Sequence, residues 1–103
     1  MKEKIFDRYP AGIERVLTAS EFMLFCTMYN EWRLMKNKES GYYFRSFKDL
    51  SNDCTLSIGS VKAIVKGFKN KGILECIAGC KKLGVTNGYR FNMEAITKLI
   101  NEN

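Results

Sequence analysis

Histidine is absent from this 103-residue chain, proline occurs once, and no apolar run approaches the roughly 20 residues of a membrane-spanning helix. The first absence removes several chemistries together. No Ser–His or Cys–His nucleophile pair can form, no imidazole can act as general base, and no His-ligated zinc or iron centre can be built. A carboxylate pair or a lysine remains chemically open as a catalyst, but no spacing in the chain organises one. Gly79 and Gly84 are not followed by the Gly-Lys-Ser/Thr of a phosphate-cradling loop. The expectation is a protein that is not an enzyme and holds no cofactor. The start, Met1-Lys2-Glu3-Lys4-Ile5, lacks the apolar stretch of a signal peptide, so a soluble, cytoplasmic domain without membrane contact is expected.

What is present supports a folded chain with an uneven charge. An apolar fraction of 46 % with 13 % aromatics is ample for one packed core. Lys and Arg outnumber Asp and Glu by 17 to 11, a net charge of +6. Residues 1–53 are almost balanced, with nine basic and eight acidic side chains, whereas 54–103 hold eight and three. Between 62 and 82 there are six lysines and a single acid, Glu75. Such concentration fits an anionic partner for the C-terminal half, or else a solvated face. Of the four cysteines, Cys26, Cys54, Cys76 and Cys80, only the last two are close, and one C-x-x-x-C without histidine or a second pair is a poor zinc signature. Four reduced thiols and no metal are expected.

Periodicity and capping residues divide the chain into elements. Residues 1–17 read as an N-terminal arm ending in a short helical turn. Thr18-Ala19-Ser20-Glu21 is a capping box that opens a helix of about 19–37. Phe22, Phe25, Cys26, Tyr29 and Trp32 form its core stripe, and Leu24, Met28 and Met35 widen the apolar face beyond what one contact needs. Those three pack under the arm or the last helix, or they form a homodimer contact. Tyr42–Arg45 reads as a short strand, and Ser46-Phe47-Lys48-Asp49 as a second capping box for a helix of about 47–53. Ser57 caps a helix of about 58–71, with Val61, Ile64, Val65 and Phe68 inward and Gly72 as its left-handed end. The period then changes to two for strands of about 73–78 and 88–92, around a lysine-bearing loop at about 79–87. Asn92 caps a last helix of about 93–101.

This order, with Ser46-Phe47-Lys48-Asp49-Leu50-Ser51, the turn Thr55-Leu56-Ser57, Lys71-Gly72-Ile73-Leu74 and the ending Thr86-Asn87-Gly88-Tyr89-Arg90-Phe91, resembles the winged helix-turn-helix family over roughly residues 18–92. The ending is similar to that of amino-terminal domains of bacterial, plasmid and phage replication initiators and primosomal proteins. The resemblance implies an α+β, mostly α fold: a three-helix core, a small antiparallel sheet with a β-hairpin wing, and here an extra C-terminal helix. It implies duplex DNA as partner, in replication initiation or transcriptional regulation. The alternative is a protein–protein interaction or dimerisation module that keeps the shape.

The residues support the DNA reading on their own terms. With the apolar set inward, helix 58–71 turns Gly59, Ser60, Lys62, Ala63, Lys66, Lys69 and Asn70 outward. Ser60, Lys62, Ala63 and Lys66 are placed to read base edges, because small residues at a helix start permit close approach. Ser57, Lys48, Arg45, Lys69 and Asn70 are the expected phosphate contacts, Ser57 through the positive pole of a helix start. Lys81 and Lys82, at the tip of the hairpin, are the wing contacts. Arg90 either touches phosphate or pairs with Glu75 across the strands. Two features depart from a stringent reader. Gly59 and Gly67 each cost helix stability, by up to about 1 kcal/mol. No arginine occurs in 46–89, so the commonest guanine reader is missing and a weak or shape-reading binder is expected.

Overall fold

In the computed structural model, which describes residues 9–79 and 86–102, local capping chemistry sets most boundaries. Thr18 Oγ1 accepts from the Glu21 N–H at 3.3 Å while the Glu21 carboxylate accepts from the Thr18 N–H at 2.9 Å, so the expected capping box closes. Helix α1 runs Ala19–Met35, two residues shorter than the periodicity predicts. Its end is chemical: Asn37 Oδ1 accepts from the N–H groups of Glu39 and Ser40, an Asx turn that competes with further helix. Strand β1 is only Tyr43–Phe44.

Helix α2 spans Phe47–Cys54, and its cap is one-sided. Ser46 Oγ accepts from the Asp49 N–H at 3.0 Å, but the shorter Asp49 carboxylate faces the Arg45 guanidinium at 3.8 Å. Thr55, left-handed at φ 56°, stops α2 and turns the chain into α3, Ile58–Asn70. That helix ends in a Schellman motif. Gly72 at φ 79° donates to Lys69 O, and Ile73 donates to Phe68 O at 3.2 Å. Strands β2, Leu74–Ile77, and β3, Gly88–Phe91, follow, and Asn92 caps α4, Met93–Asn101, through the Ala95 N–H.

The described residues thus form a mostly helical α+β domain of four helices and one antiparallel sheet in the order β1-β3-β2. The register pairs Tyr43 with Tyr89 and Cys76 with Tyr89, which turns Tyr43, Tyr89, Leu74 and Phe91 inward. Phe91 sits among Phe25, Tyr29 and Trp32, with ring centroids 5.2–5.5 Å apart at steep angles, the edge-to-face geometry aromatic quadrupoles favour.

The arm's described part folds back onto the domain. Gly12, at φ 101°, leads into a 3-10 turn at Ile13–Arg15, whose Ile13 is fully buried and which packs against α4. Tyr9 meets Phe22 of α1 edge-on at 5.0 Å. Of the two readings of the wide apolar face on α1, the interior one holds for Leu24 and Met28: both are 0 % exposed, inside the same core as Ile13 and Ile96. The alternative, a homodimer contact at Leu24, Met28 and Met35, therefore loses two of its three residues to the protein's own interior. Met35 alone stays out, at 56 % exposure, beside Leu34 at 86 %.

Candidate nucleic-acid interface

Helix α3 lies with Val61, Val65 and Phe68 buried and Ile64 half-buried, so its other side faces solvent. That side carries Ile58, Gly59, Ser60, Lys62, Ala63, Lys66, Lys69 and Asn70, all exposed, as the spacing predicts. At 1.5 Å per residue the helix is about 20 Å long, and no acidic residue occurs from Ser57 to Ile73. Among the described residues no carboxylate forms a salt bridge with Lys62, Lys66 or Lys69. The Lys62 ammonium lies 5.9 Å from the Phe47 ring centroid, which steadies its stem between α2 and α3.

The start of α3 is tightly organised. Ser57 Oγ accepts from the Ser60 N–H at 3.0 Å, and the Ser57 hydroxyl donates to Ser60 Oγ at 2.9 Å. Ser60 keeps its own proton for an outside acceptor. The N–H groups of Ile58 and Gly59 open outward at the positive end of the helix.

Two glycines on this helix have no explanation inside the fold. A Cβ on Gly59 would come no nearer than 4.0 Å, to Ser57 Oγ, and a Cβ on Gly67 would meet nothing within 4 Å. Both have ordinary helical backbone, so alanine fits either place. Gly59 and Ala63, both exposed, and the half-buried Gly67, four residues apart, leave a bare strip that runs from the exposed side towards its margin.

Other expected contacts are distributed differently. Arg45 is held inside the fold: its guanidinium pairs with Glu31 and Asp53 and approaches Asp49, with the side chain 22 % exposed. Burial works against its charge, but the Asp53 and Glu31 carboxylates outweigh that and raise its pKa. Arg45 therefore presents no free charge to a phosphate, a correction to the expectation. Its partners come from α1 and α2, and Glu31 was invisible as a neighbour in the sequence. The Tyr43 hydroxyl lies against the same Glu31, and burial, reinforced by that carboxylate, raises its pKa. Lys48 is exposed on α2. Arg90 takes the pairing alternative: it binds Glu75 at 2.6 Å, donates to Ser40 O at 2.9 Å and stacks 4.5 Å over Tyr42. Lys81 and Lys82, the wing pair, lie outside the described residues. The base of that hairpin is closed by Asn87 Oδ1, which accepts from the Gly79 N–H at 3.0 Å.

One feature has no local signal in the sequence. Between α3 and the β2–β3 hairpin runs a groove of about 380 Å³, where Lys62, Lys66 and Lys69 meet Phe47, Val65, Ile77 and Tyr89. Nothing local marks it, because it forms only when β2 is laid beside α3. Among the described residues Cys26, Cys54 and Cys76 are free thiols, no metal-ligating cluster forms, and no helix is long and apolar enough to cross a membrane. Comparison of the chain with protein-family models, curated proteins and solved structures finds no match.

Proposed function

We propose that this protein is a non-enzymatic duplex DNA-binding domain of the winged helix-turn-helix type, serving replication initiation or transcriptional control. Helix α3 enters the major groove, and the hairpin around 79–87 acts as the wing. One observation carries the reading: the exposed side of α3 is free of carboxylates and bears Lys62, Lys66 and Lys69, and the helix contains two glycines, Gly59 exposed and Gly67 half-buried, that internal packing does not require. A helix that sacrifices up to about 1 kcal/mol at Gly67 and less at Gly59 gains from close approach by something outside the chain. The sheet order β1-β3-β2 and the three-residue turn between α2 and α3 fit the same architecture.

Ser60, Lys62, Ala63 and Lys66 then face base edges, and Ile58, 41 % exposed, suits a thymine methyl. Ser57, Lys48, Lys69 and Asn70 serve phosphates, together with Lys81 and Lys82 of the wing. The lack of a guanine-reading arginine makes shape and charge, rather than a stringent code, the basis of selection.

The test is affinity for duplex DNA as a function of salt, by anisotropy of a labelled duplex. With Lys48, Lys69, Lys81 and Lys82 on phosphates, the log–log slope should lie at about −3 to −4. Binding that ignores salt, or survives charge reversal at both Lys62 and Lys66, refutes the reading. The competing protein-interaction reading now rests on exposed Leu34 and Met35 at the end of α1. It is favoured if Met35→Glu changes the mass in solution while the chain binds no duplex.

A further inference from the structure

The groove between α3 and the β2–β3 hairpin holds more than a phosphate backbone would use. Lys62, Lys66 and Lys69, one turn apart in succession, supply three ammonium groups, and among the described residues no carboxylate lines the groove. Phe47, Val65, Ile77 and Tyr89 supply apolar surface beneath them. Tyr89 is 0 % exposed, and its hydroxyl has no hydrogen-bond partner of good geometry, with the Asn87 side chain as its polar neighbour. The lining is rich in donors and lacks any charged acceptor, and its size matches a mononucleotide-sized molecule.

We propose that this groove binds a small phosphate monoester carried on a planar ring, and that its occupancy withdraws Lys62, Lys66 and Lys69 from DNA. Three ammonium groups along one helix supply the positive charge that a phosphate dianion needs, and the ring covers the apolar lining. Binding of the ring phosphate stands on the groove alone, whereas the regulatory consequence rests on the DNA reading. Ligand and duplex compete because they need the same three lysines.

Phenyl phosphate is the probe, titrated into the full chain and followed by backbone amide NMR shifts, with inorganic phosphate and phenol as comparisons. Covering the ring should make phenyl phosphate bind about tenfold more tightly than inorganic phosphate, by the usual gain from apolar burial. Shifts should centre on Val65, Ile77 and Tyr89. Lys69→Gln and Lys66→Gln, checked for unchanged melting, should each weaken it about fivefold or more, as loss of a charge-assisted contact does. Lys98→Gln on α4 should leave it unchanged. Equal binding of the two phosphates, or insensitivity to Lys66→Gln and Lys69→Gln together, overturns the proposal. A duplex competition separates the two levels. If the probe occupies the groove but no duplex binds, the DNA reading fails and takes the regulatory half with it. If duplex binds and the probe does not, the groove proposal fails alone.

Discussion

Replacing Gly67 with alanine should make the protein more stable and, if α3 faces a duplex, a poorer DNA binder. Gly67 is in the interior of a 13-residue helix, its backbone is helical, and an added Cβ meets nothing within 4 Å. There is no steric penalty to offset the gain in helix propensity, about 1 kcal/mol for Gly to Ala in a helix interior. For a domain of this size that corresponds to a rise in Tm of about 4–8 °C. Gly59, the second residue of α3, should gain less, since the first turn is less constrained. A methyl forced between helix and duplex costs about 1–2 kcal/mol through overpacking, close to a tenfold loss of affinity. Thermal melting by circular dichroism and anisotropy titration of the same two variants give both quantities. Gly59→Ala is the sharper binding test, because it lies at the start of the helix where base edges come nearest. A lowered Tm for Gly67→Ala refutes the structural premise. Raised stability with unchanged affinity in both variants refutes the claim that the bare strip faces DNA.

Three further outcomes follow from the packing. Arg45→Ala should destabilise the fold by about 1–2 kcal/mol in denaturant melts, since it strands Glu31 and Asp53, and should leave duplex affinity intact; a loss of affinity in a stably folded variant would return Arg45 to the interface. Gly12→Ala should cost about 2 kcal/mol or more, because its φ of 101° is left-handed and a Cβ would sit 2.6 Å from Ile100 Cγ2; an unchanged Tm would mean the arm does not dock on α4. Stability should decline as pH rises from about 9 towards about 12. Burial, helped by Glu14, pushes the Cys26 thiol up from 9.0 to about 12, and burial pushes Tyr89 up from 10.0 to about 12 against the opposing pull of Asn87. Both groups have folded pKa values above their unfolded ones, so their contribution is complete below the unfolded value and vanishes through the folded one. Cys26→Ala should flatten the lower part of that decline, and a slope identical to the parent would refute the assignment.

Legibility in the sequence divides along the distance between partners. Thr18, Ser57, Gly72 and Asn92 act within four residues of themselves, and the elements they bound match expectation closely. Periodicity overruns the end of α1 because hydrophobic spacing speaks of faces, while the stop comes from the Asn37 side chain. Leu24 and Met28 read as surplus apolar area in the sequence because the elements packed against α1, among them α2, α3 and β3, come later in the chain. Arg45 shows both cases in one residue: Asp49 and Asp53 are legible as helical neighbours at four and eight positions, whereas Glu31 comes from another helix. The exposed side of α3 could be read from periodicity alone. The groove beside it could not, since its far wall is a strand whose placement no local pattern records.

The position of β3 in the sheet also dictates an order of events. β1 has one neighbour, β3, and the pairing of Tyr43 with Tyr89 joins residues on either side of the whole α2–α3–β2 stretch. As the chain is synthesised, Tyr43 and Phe44 wait as an open edge until Gly88–Phe91 arrive. The aromatic cluster on α1 likewise waits for Phe91 to fill it. Helices α2 and α3 can pack early through contacts close in sequence, but closure of the sheet is non-local and belongs to the late, slower phase of folding. A nascent chain halted before residue 88 would display an unfilled aromatic face and an unpaired edge together, the combination on which holdase chaperones act.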